Sequence, residues 1–413
     1  MLSGPKLGYL VAGFPDLTHS HHWSEIAALE AAGVAVTIFS TTPPAGPFAH
    51  GWAEVASPRV HYLDIAPQRP RMAHLLRALP RLPVAQMIGD SGLWSDILRW
   101  APAAGALAEA CRAAQIHHVH VIGNGPTALI AALAARMGGP TYSITQNGPL
   151  AEGGAGQNFK WRGARFGMTA TRRILNELRL VLRDDLPVDM AVQATGIDTD
   201  FFARDAEDAY RPLRAGEELR LLVVQSLAPD RGIEEALFAL RRLLDMGQPA
   251  HLVIMGEDRV GGLYRAEIAQ QITDLGLGAH CFLTGAMDAG EVRAQMVSAH
   301  ILIHGGGHDC LGMAMIEAMA CGLPVLATPA GGRREILTDG RDGVIVAQRA
   351  TEALVAGILR IIGNFELAQM MSLHGRVRIE APFDCRTSAE HLMRGVGFLP
   401  AVDLDEAHWG TGG

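Results

Sequence analysis

HGGGHDCLGMAMIEAMACGLPVLATPAGGRREI, residues 304–336, joins a glycine-rich turn to an apolar helical pattern and a short strand-like run. Its candidate site residues are Asp309, Leu311, Gly312, Met313 and Glu317. If a helix begins near Leu311, its first backbone N–H groups have no partner within the helix, and the helix dipole favours an anion such as a diphosphate there. Gly312 has no side chain and leaves room for that anion to approach.

Two acidic side chains flank this predicted helix start. Glu317 lies one to two turns into the helix among alanine and methionine side chains, so a carboxylate there needs a hydrogen-bonding partner such as a ribose hydroxyl. Asp309 precedes the helix and faces the other end of the same ligand. The pattern predicts a nucleotide-sugar site with hydroxyls bound at both ends and a diphosphate between them. The alternative is that Asp309 caps the helix and Glu317 is a partly buried structural acid.

The same residues carry a family resemblance. The run DCLGMAMIEAMACGLPVLAT, residues 309–328, resembles the E-x7-E signature of family 4 glycosyltransferases of GT-B fold, with Asp309 in place of the first glutamate. The resemblance implies that Asp309 binds sugar hydroxyls and that Glu317 binds the ribose. Looser similarity extends over nearly the whole chain.

Composition indicates a globular protein without a general affinity for nucleic acid. The chain has 413 residues, 49% hydrophobic and 19% charged content, and a formal net charge of -8. Its five cysteines include no C-x-x-C pair, which fits a reducing compartment and neither a disulfide framework nor a zinc site. The sequence opens without the pattern of a signal peptide, and no uncharged apolar run reaches about 18 residues. We therefore expect a cytoplasmic protein.

Strand-like apolar runs alternate with helical patterns in two series. The first series extends from Leu7 to Thr145 and the second from Leu221 to Thr328. Continuous Val, Ile and Leu runs separated by helices predict parallel sheets covered on both faces. We expect an α/β protein with two doubly wound, Rossmann-like domains facing across a cleft, the GT-B arrangement. The resemblance implies an acceptor-binding domain at 1–200, a nucleotide-sugar-binding domain at 201–380, and a closing helix and tail at 381–413.

The first series contains two segments that leave alternatives open. Residues 9–44 resemble the opening of exopolysaccharide- and colanic-acid-type members of family 4, but a polar run, His19 to His22, interrupts the match. With no cysteine or acidic cluster nearby, this run predicts a solvated loop or helix start rather than a metal site. Residues 66–83 carry four arginines beside leucine and methionine. They predict either a basic amphipathic helix on an anionic membrane or a surface helix whose leucines face the core.

Two further motifs of the first series bear on the ligand. Residues 123–128, GNGPTA, fit a dinucleotide fingerprint formally, but they do not follow the first strand and no acidic residue ends the next one. The resemblance instead assigns His120 to an H-A-H element and Asn147 to the place of the histidine in a T-x-H loop. His120 is either a ligand contact or a buried histidine satisfied by neighbouring backbone.

The second series carries the expected phosphate and base contacts. In the family, an arginine and a lysine after its first strand bind the donor phosphates; Arg231 stands for the lysine, whereas Ser226 stands for the arginine and carries no charge. Losing one cation from a diphosphate site costs on the order of 1.5–3 kcal/mol of charged hydrogen bonding unless another group replaces it. Gly256 and Thr284 fall where the family reads the nucleotide base through backbone groups.

Together these features predict a retaining, metal-independent glycosyltransferase of polysaccharide biosynthesis. It would move a hexose from a UDP- or GDP-linked sugar to a glycan or lipid-linked saccharide, without a cofactor, and with possible peripheral contact with the inner membrane. Retention is implied by resemblance alone. The predicted catalytic residues are Asp309, Arg231, His120 and Asn147, and the predicted donor-binding residues are Glu317, Leu311, Gly312, Met313, Gly256, Thr284 and Ser226.

Two rival functions stay open. Ser226 and Asn147 also suit a non-catalytic sugar-nucleotide-binding subunit of a glycosyltransferase complex, which would bind donor without turnover. A phosphorylase or nucleotide-sugar epimerase of the same fold is a second rival. A phosphorylase is disfavoured because no cofactor lysine is evident.

Overall fold

The computed structural model describes residues 4–16, 19–43, 51–63, 91–205, 207–258, 262–307 and 311–400. The chain divides into two compact units. Unit 1 is Met1–Gly196 with Cys385–Ala407, and unit 2 is Ile197–Asp384 with His408–Gly413. The arginine-containing segment 66–83 and Asp309 lie outside the described residues.

Unit 1 is built on a seven-stranded parallel sheet in the order β3-β2-β1-β4-β5-β6-β7. Its strands are β1 (Lys6–Val11), β2 (Ala35–Ser40), β3 (Val60–Tyr62), β4 (His118–Ile122), β5 (Thr141–Gln146), β6 (Gly167–Thr169) and β7 (Met190–Val192). Its α-helices are α1 (Ser20–Ala31), α2 (Gly51–Ala56), α3 (Ser91–Ala114), α4 (Pro126–Arg136), α5 (Gln157–Arg162) and α6 (Arg172–Leu182). Short 3-10 turns span Ser57–Arg59, Leu150–Gly153 and Arg183–Asp185.

Unit 2 is built on a six-stranded parallel sheet in the order β10-β9-β8-β11-β12-β13. Its strands are β8 (Leu219–Val224), β9 (Ala250–Met255), β10 (Cys281–Gly285), β11 (Ile301–His304), β12 (Val325–Ala327) and β13 (Val344–Ile345). Its helices are α7 (Ile233–Asp245), α8 (Leu263–Asp274), α9 (Ala289–Ser298), α10 (Met313–Ala320), α11 (Arg333–Ile336), α12 (Thr351–Ile362) and α13 (Phe365–Glu380).

A final helix, α14 (Cys385–Val396), belongs to unit 1. Its buried residues Ala389, Leu392, Met393 and Val396 join the core formed by β1, β2 and α1. A helix that follows unit 2 in the sequence therefore completes the core of unit 1.

Both sheets reverse their direction of growth once. In unit 2, β9 and β10 extend from one side of β8, whereas β11 to β13 extend from the other. The carboxyl ends of β8 and β11 therefore mark the point where the strand order reverses, and open α/β sheets bind ligands in the crevice at such a point. The prediction of two doubly wound α/β domains is confirmed, and continuous apolar strands such as β11, buried at all four positions, explain why.

Among the described residues, no single helix is long and apolar enough to cross a membrane. The consecutive helices α12 and α13, bent by 95° at their break, reach the required length and composition only as a pair.

Candidate functional site

The loops after β8 and β11 pack backbone against backbone at the crevice of unit 2. Gly232 (φ 77°) has its Cα so close to the second loop that an added Cβ would lie 2.6 Å from the nitrogen of Gly306. Gly306 (φ 84°) is equally confined, since its Cβ would lie 2.2 Å from the carbonyl oxygen of Asp230. The N–H of Gly307 donates to that same carbonyl at 3.0 Å. Only glycine fits these positions, and the close approach holds the backbone at Arg231 against the second loop.

Helix α10 begins at the same edge of the sheet. Gly312 is its N-cap in the left-handed region (φ 82°, ψ 67°), and no side chain caps the helix. The helix thus begins at Met313, slightly later than the predicted start near Leu311. Within the described residues, the N–H groups of Leu311, Gly312 and Met313 donate no hydrogen bond. These groups remain available to an anion at the helix start.

Glu317 lies in the first turns of α10 and is 8% exposed. Its carboxyl has no hydrogen bond or ion pair with any described residue, and burial alone raises its pKa to about 7. Buried carboxyls in native proteins almost always have a partner. No described residue donates to this carboxyl, so the site suits a ligand that carries a hydrogen-bond donor.

His304 and Arg333 belong to the same site, and sequence reasoning missed both. His304 ends β11 and is 4% exposed, and neither of its ring nitrogens has a hydrogen-bond partner among the residues that the structure describes. A Cβ added to Gly312 would lie 2.7 Å from its Nε2, so the ring faces the start of α10. Burial, with Arg333 and Arg231 nearby, lowers the pKa of His304 to about 3. The only signal in the sequence is a polar residue that ends the apolar run ILIH.

Arg333 is a buried cation in this region. It is 1% exposed, and its Nη1 donates to the carbonyl of Gly306 at 3.0 Å and to Thr328 Oγ1 at 2.6 Å. Arg231 is half-buried, and its carbonyl accepts a hydrogen bond from the side chain of Gln225. The crevice therefore has two arginines, a neutral histidine and a helix start around it, which makes it electropositive.

The predicted base-binding residues lie at the carboxyl ends of β9 and β10. Gly256 (φ 153°) packs against the backbone of Gln225, where a Cβ would lie 1.9 Å from the carbonyl oxygen. Its N–H donates to the carbonyl of Gly285 at 3.0 Å, and Thr284 Oγ1 donates to that carbonyl at 3.2 Å. Ser226 is half-buried beside Gly256. The N–H of Gly256 and the hydroxyl of Thr284 are thus already hydrogen-bonded within the protein.

His120 and Asn147, the predicted site residues of unit 1, differ in accessibility. His120 in β4 is fully buried, with Nδ1 hydrogen-bonded to Ser143 Oγ at 2.7 Å and Nε2 to Thr145 Oγ1 at 2.8 Å. Asn147 follows the carboxyl end of β5, is half-buried, and makes no side-chain hydrogen bond with the described residues. Because both ring nitrogens of His120 are occupied, we do not assign it a ligand contact. Its partners are hydroxyls of the neighbouring strand rather than backbone groups.

The buried histidines of unit 1 form a structural group with Tyr9 and Glu25. The unit 1 histidines, as we call them below, are His22, His118 and His120, and burial is the main cause that lowers the pKa of each. Tyr9 Oη donates to Glu25 Oε2 at 2.5 Å, and both side chains are fully buried. Residues 19–22 form the start of α1, which is the helix start expected from the sequence as one alternative, and His22 is buried there at 3% exposure. No cluster of three or more potential metal ligands occurs in the part of the chain that the structure describes.

Comparison with known proteins is consistent with this geometry. Residues 206–378 match the family described as glycosyl transferases group 1. The GDP-mannose-dependent alpha-(1-6)-phosphatidylinositol monomannoside mannosyltransferase of Mycolicibacterium smegmatis is 27% identical over 274 residues, which cover 61% of this chain and 68% of that enzyme. The glycogen synthase of Mycobacterium tuberculosis is 27% identical over 201 residues, covering 49% of this chain and 46% of that enzyme. The chain thus spans about half to two thirds of the length of these relatives.

Solved structures match the fold along almost the whole chain. HepE of Anabaena, crystallised with UDP and glucose, has a TM-score of 0.73 at 16% identity and covers 96% of this chain and 100% of its own. Sucrose-phosphate synthase of Thermosynechococcus elongatus has a TM-score of 0.71 at 16% identity and covers 95% of this chain and 99% of its own. The fold of each unit is therefore that of these structures, and residues 206–378 match the group 1 glycosyl transferases.

Proposed function

We propose that this protein is a retaining, metal-independent glycosyltransferase that transfers a hexose from a nucleoside-diphosphate sugar to a glycan or lipid-linked saccharide. The observation that carries the proposal is the buried, unpartnered carboxyl of Glu317 beside a helix start with free N–H groups. A ribose supplies hydroxyl donors for the carboxylate, and the attached diphosphate supplies an anion for the helix start. A nucleoside diphosphate satisfies both needs at once.

The reaction needs stabilisation of the departing nucleoside diphosphate. As the glycosidic bond breaks, negative charge grows on the outer phosphate, next to the N–H groups of Gly312 and Met313 and near Arg231. A cation and a helix dipole can stabilise this charge without a divalent metal. We assign Asp309 to the sugar hydroxyls and Asn147 to the acceptor side by resemblance. Retention of the anomeric configuration rests on the same resemblance.

The names of two similar proteins support a proposal for the nucleotide base of the donor. The mannosyltransferase relative is described as GDP-mannose-dependent, whereas HepE was crystallised with UDP-glucose and with UDP. We propose a UDP- or GDP-linked hexose, and a saccharide acceptor used in polysaccharide biosynthesis. We further propose that the protein acts in the cytoplasm, with peripheral contact at the inner membrane where lipid-linked acceptors are found.

Titration calorimetry with UDP and GDP, each with and without magnesium, tests the donor site. We expect one of them to bind with micromolar affinity that does not depend on magnesium. Glu317→Ala should weaken that binding strongly, because the ribose hydroxyls lose their acceptor. Binding of neither nucleotide, or unchanged binding by a folded Glu317→Ala variant, would contradict the proposed donor site.

A second candidate, a non-catalytic sugar-nucleotide-binding subunit, follows from Ser226. This half-buried serine supplies no charge where the family has an arginine. If the cation is merely missing, Ser226→Arg should tighten donor binding. If another cation of the crevice, such as Arg333, already supplies the charge, the added arginine should give no gain. Donor binding without sugar transfer or donor hydrolysis, across a panel of saccharide acceptors, would favour the subunit over the enzyme.

A further inference from the structure

His304 is the least expected polar side chain of the donor crevice. The other three residues of β11 are Ile301, Leu302 and Ile303, all buried in the core. His304 is buried to the same degree, yet neither ring nitrogen is hydrogen-bonded. A buried donor and acceptor without partners destabilise a fold, and a leucine would fill this position without that penalty. The histidine therefore calls for a ligand that is absent from the protein alone.

The surroundings of His304 determine what this ligand can be. Its Nε2 faces Gly312, at the start of α10, where the backbone N–H groups are free. The guanidinium groups of Arg231 and Arg333 are near enough to affect its charge, and with burial they keep the ring neutral. A neutral imidazole has one N–H donor. A donor surrounded by cations and a helix start suits an anion with several acceptor oxygens.

We propose that His304 binds the diphosphate of the donor, with one ring N–H donating to a phosphoryl oxygen beside the N–H groups of Gly312 and Met313. This inference rests on the proposed function and adds a residue to its donor site. It also accounts for how the crevice holds a diphosphate although Ser226 is uncharged. His304 is then a binding residue. Its unpartnered ring nitrogens destabilise the free protein, and the hydrogen bond to the nucleotide offsets this destabilisation.

The test compares His304 with a buried histidine that has a partner. His300 precedes β11, is 2% exposed, and its Nδ1 accepts a hydrogen bond from the N–H of Arg220 at 3.0 Å. His304→Leu, His304→Gln and His300→Leu would be compared with the wild type. Calorimetry would give the affinity for GDP and UDP, saturation-transfer NMR would give the affinity for guanosine and uridine, and thermal unfolding would give the stability of the free protein.

His304→Leu should weaken nucleoside diphosphate binding by about tenfold or more, the effect of one hydrogen bond to a charged group. Binding of the nucleoside, which has no phosphate, should not change. His304→Gln keeps an N–H donor and should recover part of the loss. In the free protein, His304→Leu should be at least as stable as the wild type, whereas His300→Leu should be less stable and keep its nucleotide affinity.

Several outcomes would overturn the inference, and they differ from failure of the proposed function. If the wild type binds neither diphosphate, the proposed donor site itself is wrong, and the role of His304 falls with it. If the wild type binds and His304→Leu binds equally well, only the inference about His304 fails. It fails as well if nucleoside binding drops in parallel, or if His304→Leu loses stability as His300→Leu does, because the histidine would then be structural.

Discussion

Glu317→Gln should change how the stability of unit 2 depends on pH. Burial raises the pKa of the Glu317 carboxyl from 4.5 to about 7, so the folded protein binds this proton more tightly than the unfolded chain does. Its contribution to stability is fully present below pH 4.5 and is lost as the pH rises through about 7. A neutral glutamine has no such dependence.

The size of the effect follows from the two pKa values. The Glu317 carboxyl has a pKa of 4.5 in the unfolded chain and about 7 in the folded protein. This difference lowers the free energy of unfolding of the wild type by roughly 2.5 kcal/mol between pH 5 and pH 8. The free energy of unfolding of Glu317→Gln, relative to the wild type, should therefore rise by about this amount between the two pH values. All other titrating groups occur in both proteins and cancel in the difference.

Urea unfolding at pH 5 and pH 8 would measure this difference. Five of the six tryptophans lie in the described part of unit 1, so tryptophan fluorescence mainly follows unit 1, while circular dichroism follows both units. Hydrogen exchange of peptides from α10 would assign the change to unit 2. Glu366→Gln is the control, because Glu366 is exposed on α13 of the same unit and its replacement removes the same charge. A difference between Glu317→Gln and wild type that is equal at both pH values would refute the reasoning.

Three further predictions concern single features of the two units. Gly312→Ala should destabilise unit 2 by about 1–2 kcal/mol, because the φ angle of Gly312 is 82°, and it should also weaken nucleotide binding. The control Gly340→Ala, at a φ of 76° on another loop, should lower stability only. An equal loss of nucleotide affinity in both variants would contradict this prediction. The unit 1 histidines should make unit 1 acid-sensitive. As the pH falls below 6.5, each lowered pKa removes about 1.4 kcal/mol of unfolding free energy per pH unit, which is about 4 kcal/mol per pH unit for the three together. A fluorescence-detected unfolding transition that is unchanged between pH 7 and pH 5 would be the contrary result. Tyr9→Phe should destabilise unit 1 by about 1–3 kcal/mol, because it leaves the buried carboxyl of Glu25 without this donor, and urea unfolding should show a smaller loss when Glu25 is replaced by leucine at the same time.

The sequence predicts the fold well because its signals are local. Continuous apolar strands between helices indicate parallel sheets wherever they occur, and both sheets follow this rule. The helix around Glu317 is also predictable from its local pattern. Because the neighbouring side chains of that helix are Ala and Met, the sequence also indicates that the Glu317 carboxylate has few partners there.

The rest of the site depends on contacts between distant segments. The partners of His120 are known only from the register of β4 on β5, which places Ser143 opposite it. An arginine is usually exposed, so nothing in the run GGRREI indicates that Arg333 is buried against Thr328 and a glycine carbonyl. The lack of partners for His304 likewise depends on what surrounds the end of β11, which no pattern in the sequence reports.

The glycine contact between the loops after β8 and β11 restricts how the proposed donor site can be engineered. Gly232 and Gly306 accept no side chain, because each would place a Cβ within 2.6 Å of the opposite backbone. Random libraries that include these two codons would consist mostly of misfolded clones. Random substitutions are better placed at Ser226, Arg231 and His304, whose side chains lie at the crevice. The contact between Gly232 and Gly306 then keeps the backbone of the two loops in place.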